Sequence, residues 1–68
     1  MKNRIKIERA ILNITQEELA EKTNVSRQSI NAVESGKYVP STILALKIAQ
    51  VFGKNVNEVF ELDENDWK

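Results

Sequence analysis

Apolar residues along this chain recur at spacings of three and four, and no stretch sustains the alternation of a half-buried strand. Ile5, Arg9 and Leu12 fall on one side of a first helix expected over about residues 4–13. A second helix opens at Thr15. There Thr15-Gln-Glu-Glu18 has the form of a capping box, in which hydroxyl and carboxylate each satisfy a backbone N–H of the first turn. Leu19, Ala20 and Thr23 line its inner face. The break comes at "TNVS", where Asn24 tolerates a left-handed backbone better than most side-chain-bearing residues. Ser26 caps a third helix with Ile30 and Val33 inward, and Gly36 ends it as a left-handed residue. After the connector "KYVP", Ser41 starts a fourth helix, "STILALKIAQVF", striped by Leu44, Ile48 and Phe52 and stopped by Gly53. Asn55 and Glu58 repeat the capping pattern ahead of a one-turn fifth helix, and beyond Phe60 the chain turns acidic and is expected to fray.

The second and third helices sit on either side of a turn of about four residues, which makes them cross steeply as a helix-turn-helix. Ala20 is small where the two would approach most closely, and Val25 can plug the angle between them. At about 100° per residue, Gln28, Asn31, Ala32 and Ser35 turn away from Ile30, with Arg27 on the flank of that outer face. The face has no large apolar group and no carboxylate, so it can lie along a polyanion. Arg offers paired donors that match guanine O6 and N7, and Gln and Asn amides match adenine N6 and N7. Gln16 and Ser26, at two helix N-termini, are placed to hold phosphates. The same residue types are also ordinary on a solvated helix, so composition alone leaves a plain polar face open.

With 68 residues the chain forms one domain near the lower limit for a self-sufficient core. It has no cysteine and no histidine, which removes disulfides, thiolate metal sites, the usual general base and the commonest metal ligand. No phosphate-cradling glycine loop occurs, so no enzymatic activity, metal or cofactor is expected. No apolar run approaches the ~20 residues of a membrane span, and the start lacks a signal-peptide core. A soluble cytoplasmic protein is expected. The formal charge of zero conceals an asymmetry. Residues 1–60 hold nine Lys/Arg against six Asp/Glu, a net +3, and residues 61–68 hold four acids against one lysine, a net −3. A mildly basic body, expected as the DNA-binding domain, thus precedes an acidic tail.

The run "TQEELAEKTNVSRQSINAVESGKYVPS…LALKIAQVFG…NEVF" resembles the Cro/phage-repressor-like, XRE-type helix-turn-helix family over about residues 4–60, most of all its short stand-alone cytolysin-repressor-like members. The resemblance implies an all-α fold, a compact five-helix bundle of the lambda-repressor-like DNA-binding type, with a small terminal hairpin or sheet from "MKNR" and "FELD" as an addition. It implies double-stranded DNA as partner, with Arg27, Gln28 and Asn31 facing bases. It also implies Gln16, Lys37 and Tyr38 on phosphates and an internal Arg9–Glu34 salt bridge. Two positions depart from the family pattern: Asn24 stands where glycine is usual, and Thr23 where a bulky aliphatic is common.

Related proteins bind inverted half-sites as two-fold dimers about one helical turn apart, and a homodimeric repressor is the expected function. Ile7 and Ile11, and Ile43 and Leu46, form surplus apolar stripes that could cover Phe60, Leu62 and Trp67 of the C-terminal segment or a second subunit. The tail is open to three readings: a solvated end, a segment packed through Trp67, or a competitor of phosphate for the basic surface. The rival function is an antitoxin that binds both DNA and a toxin through the same domain. No small-molecule ligand is expected within this chain.

Overall fold

The computed structural model describes all residues, 1–68. Five helices form the body: α1 (Ile5–Leu12), α2 (Gln16–Thr23), α3 (Arg27–Glu34), α4 (Thr42–Phe52) and α5 (Val56–Val59). Two short strands, β1 (Lys2–Asn3) and β2 (Phe60–Glu61), pair antiparallel with Lys2 opposite Glu61 and Asn3 opposite Phe60. No helix is long and apolar enough to cross a membrane.

The helix boundaries follow the local chemistry. Thr15 Oγ1 accepts from Glu18 N–H at 3.0 Å while Glu18 Oε1 accepts from Thr15 N–H at 3.0 Å, so both halves of the capping box are made. Ser26 caps α3 through Ser29 N–H at 3.1 Å, and Ser41 caps α4 through Leu44 N–H at 3.1 Å. Glu58 Oε1 accepts from Asn55 N–H at 2.9 Å ahead of α5. Asn24 carries the left-handed turn at φ 58°, as does Asn13 after α1 at φ 56°. The usual glycine is therefore dispensable, because a short amide side chain is the kind best tolerated there.

The core is one cluster to which every helix contributes: Ile5, Leu19, Ala20, Ile30, Val33, Leu44, Ile48, Ala49, Phe52, Val59 and Phe60. Thr23 is fully buried beside it, and its hydroxyl donates to Leu19 O at 2.8 Å, so the polar atom is satisfied within its own helix. Val25 packs against the cluster from the turn.

Three expectations need correction. Of the expected inner face of α1, Ile5 is fully buried and Arg9 bonds inward to Glu34, but Leu12 does not take part. Leu12 is exposed at the end of the helix, where Asn13 turns the chain, and the half-buried Ile14 packs there instead. The inward place on α1 is taken by Glu8, only 4% exposed, with Arg4 Nε 3.6 Å from its carboxylate. The segment after Phe60 does not fray. It continues from β2 into a 3-10 turn, Glu64–Trp67, capped by Asp63, whose Oδ1 accepts from Asn65 N–H at 2.9 Å. Asp63 and Asp66 lie 3.2 and 3.3 Å from the Met1 ammonium. The hydrogen bond to that ammonium is the largest influence on the Asp63 carboxyl and holds it below its ordinary value. Finally, the apolar stripes do not cover the C-terminal segment. Phe60 lies in the core, while Ile7, Ile11, Ile43, Leu46, Leu62 and Trp67 all remain exposed.

Candidate nucleic-acid interface

The packing of α2 against α3 rests on small and branched apolar residues. Leu19 and Ala20 of α2 face Ile30 and Val33 of α3 within the common core, which leaves the opposite side of α3 outward. Gln16, Arg27, Gln28 and Asn31 together line one surface cleft that has no apolar wall. Three of these lie on α3 and the fourth at the first position of α2, so the cleft straddles the junction of the two helices. Arg27, Gln28 and Asn31 are exposed, and Gln16 is half-buried.

Behind the cleft runs a polar network. Arg9 Nε and Nη2 donate to Glu34 Oε1 and Oε2 at 2.8 and 3.1 Å, a bidentate pair joining α1 to α3. Arg9 Nη1 also donates to Ile14 O at 3.0 Å, which ties down the loop before α2. Gln16 Nε2 donates to Glu34 Oε2 at 2.9 Å and to Asn31 Oδ1 at 3.2 Å. Burial pushes the Glu34 carboxyl up. The hydrogen bonds from Arg9 and Gln16 and the charges of Arg9 and Lys6 outweigh that push, so the group is held below its ordinary value. Gln16, expected on a phosphate, is thus engaged inward through its side chain, at the first position of α2.

The other phosphate candidates flank the cleft. Ser26 sits at the α3 N-terminus with its hydroxyl used in the cap. At the far end Gly36 adopts φ 82° and lets the chain fold back. Lys37 and Tyr38 N–H then both donate to Ala32 O, at 3.0 and 3.2 Å, which holds the two exposed side chains beside the end of α3.

One residue went unnoticed in the amino-acid pattern. Asn3 Oδ1 accepts from Ile5 N–H at 3.1 Å at the start of α1. Its Nδ2 donates to Val33 O and Glu34 O at 3.1 and 3.3 Å, satisfying carbonyls at the end of α3. The signal was an asparagine two residues ahead of the first helix, a favoured capping type. Its second partner, thirty residues away, leaves no local trace.

The helix-turn-helix family model matches residues 5–59. An uncharacterized HTH-type transcriptional regulator of Methanocaldococcus jannaschii is 50% identical over 66 residues, covering 97% of this chain and all of that protein. The Bacillus subtilis regulator YgzD is 46% identical over 66 residues, again 97% of this chain and all of that one. A regulator of the same description from Methanothermobacter thermautotrophicus is 46% identical over 69 residues, with both chains fully covered. A match across nearly the whole chain, on a structure whose second and third helices cross behind an outward polar cleft, has one meaning: this chain belongs to the XRE-type helix-turn-helix family and is a DNA-binding transcriptional regulator.

Proposed function

We propose that this regulator is a repressor that binds an inverted-repeat operator as a homodimer in the cytoplasm, with α3 laid in the major groove of each half-site. The observation that carries this reading is the convergence of Gln16, Arg27, Gln28 and Asn31 on one cleft free of apolar walls and of carboxylates. Arg27, Gln28 and Asn31 take the base edges, where guanidinium and amide groups make directional contacts. Ser26, Lys37, Tyr38 and the N-terminus of α2 take the phosphates on either side, fixing the register of α3. Arg9 and Glu34 stay inside as the brace between α1 and α3. The exposed Ile7, Ile11, Ile43, Leu46, Leu62 and Trp67 supply apolar area for a second copy. A single α3 spans only a few base pairs, so two-fold pairing is what gives a site of useful length. Occupying the operator is enough to exclude a polymerase, which makes repression the simplest outcome.

The test is selection of bound duplexes from a random pool, followed by a salt titration on the winner. The expected result is a two-fold-symmetric consensus with half-sites about 34 Å apart and an affinity that falls steeply with salt. Absence of any enriched sequence overturns the reading, and an asymmetric single half-site overturns its dimeric part.

A further inference from the structure

The hydrogen bonds behind the cleft have a direction, and that direction reaches the surface. Glu34, ionised and gripped by Arg9 Nε and Nη2, can only accept. The Gln16 amide must therefore turn its NH2 toward Glu34, where the separation is 2.9 Å. That nitrogen has one N–H left, and it lies 3.2 Å from the Asn31 side chain. Asn31 must answer with its carbonyl oxygen. Its own NH2 group is then left pointing away from Gln16, on the residue that lines the outward cleft with Arg27. Arg27 is itself donor-only.

We propose that Glu34, acting through Gln16, locks the Asn31 amide with its NH2 outward, so that α3 selects guanine over adenine at the base facing Asn31. The inference rests on the groove-reading role of α3 and deepens it. A freely turning Asn pairs with adenine by accepting from N6 and donating to N7. Here the oxygen is held inward, so the pair of N–H donors meets the base edge alone. Guanine offers two acceptors there, O6 and N7, whereas adenine sets its N6 amino group against one of the donors. The adenine pairing expected for Asn31 from residue type is thereby replaced by a guanine preference. Gln28, outside this network, keeps a free amide and is not so restricted. Gln16 and Glu34 are positioning residues: neither touches the base through this route, and their effect is the orientation of Asn31.

The test combines two measurements. In the free wild-type protein at neutral pH, NMR hydrogen exchange of the side-chain amides should find both Gln16 Nε2 protons slowed and the Asn31 Nδ2 protons exchanging as exposed ones. Slowed Asn31 protons with a rapidly exchanging Gln16 amide would overturn the lock. On DNA, the base read by Asn31 is identified as the position whose preference vanishes in Asn31→Ala. Wild type should favour guanine over adenine there by about tenfold, the lower range for a specific base contact. Glu34→Gln keeps the size and can still bond Arg9, but it can offer Gln16 either end of its amide. It should bring the two bases to near parity while leaving the preference set by Arg27 intact. Gln16→Ala, which leaves the Arg9–Glu34 pair alone, should do the same and serves if Glu34→Gln unfolds, as judged by circular dichroism. An unchanged ratio in a folded variant, or adenine preferred by wild type, refutes the inference and leaves groove reading standing. Absence of any enriched sequence removes groove reading and base selection together, and the exchange data still decide how Asn31 is turned.

Discussion

The α2–α3 pair and the terminal annex of β1, β2 and the 3-10 turn are held by opposite means. The helix pair is specified from within: each helix carries its own cap, Asn24 makes the turn, and Leu19, Ala20, Ile30 and Val33 close the crossing in the core. The annex has strands of only two residues, a solvent-facing turn and side chains that are mostly exposed. Apart from Phe60, which anchors β2 in the core, it is placed by polar partners far away in sequence, with Asn3 reaching the end of α3 and the Met1 ammonium reaching Asp63 and Asp66. Regions with little buried apolar surface open locally at low cost, while the packed core opens only with the whole molecule. α3, the proposed reading helix, thus belongs to the stable part, and the annex meets its far end through Asn3.

The largest effect is expected at Glu34, where the core and the polar network meet. Glu34→Ala leaves Arg9 inside without its carboxylate and Gln16 without its acceptor. Removing one partner of a largely buried ion pair costs about 3 kcal/mol or more, which urea unfolding followed by circular dichroism measures directly. A loss under about 1 kcal/mol would place the pair with ordinary surface contacts.

The same carboxylate gives a pH dependence of defined sign. Its folded value lies below the ordinary 4.5, so its stabilising contribution is complete above 4.5 and is lost as pH falls through the lower folded value. Between neutrality and pH 5 Glu34 contributes no slope. Below that, the urea midpoint of wild type should fall more steeply than that of Glu34→Gln, which has no proton to take up. Parallel curves for the two proteins down to acid unfolding would assign the acid sensitivity to other carboxylates, Asp63 among them.

The link between the two regions is the next most sensitive point. Asn3→Ala removes a bond to Ile5 N–H and two to the last carbonyls of α3. Hydrogen bonds of this partly buried kind are worth about 1 kcal/mol each net, and they share one side chain, so a loss of about 1–2 kcal/mol is expected. Amide exchange sharpens the result. The β1–β2 amides should open markedly faster in the variant, while Leu19 and Ile48 follow only the change in global stability. Equal acceleration everywhere would mean that the annex is not a separate unit.

The difference between the regions also explains what was legible in the amino-acid order. Caps at Thr15, Ser26 and Ser41, stops at Gly36 and Gly53, and the stripe of Leu44, Ile48 and Phe52 all act within four residues of themselves, so their effects are written locally. The side of α3 left outward followed from Ile30 and Val33 alone. The annex was not legible because two-residue strands have no periodicity, and the order of residues 61–68 depends on an ammonium some sixty residues away. The burial of Glu8 left no sign for a related reason: a carboxylate is ordinarily solvated unless a partner and the helix's place in the fold draw it in, and here Leu12 projects past the core while Glu8 does not. In the cleft, residue types indicated donors and acceptors, but the bonds joining Gln16, Asn31 and Glu34 connect two helices that meet only in the fold.

The subtlest probe of the annex is its own chromophore. Trp67 is the only tryptophan in the chain and is 78% exposed in the single subunit. Its emission therefore reports the state of the 3-10 turn with no background from the core. An indole in water emits to the red, and covering it with apolar surface moves the emission to the blue. If the proposed homodimer covers the annex, emission should shift to the red on dilution through the dissociation range, with a midpoint that tracks the loss of dimer in sedimentation. The shift should vanish in Ile43→Lys if Ile43 shares that interface, while the folded baseline stays the same. Emission that is red at every concentration, while sedimentation still finds a dimer, excludes Trp67 from the interface. It would leave the annex as a brace on α3 alone and move the search for the contact to the exposed isoleucines of α1, Ile7 and Ile11.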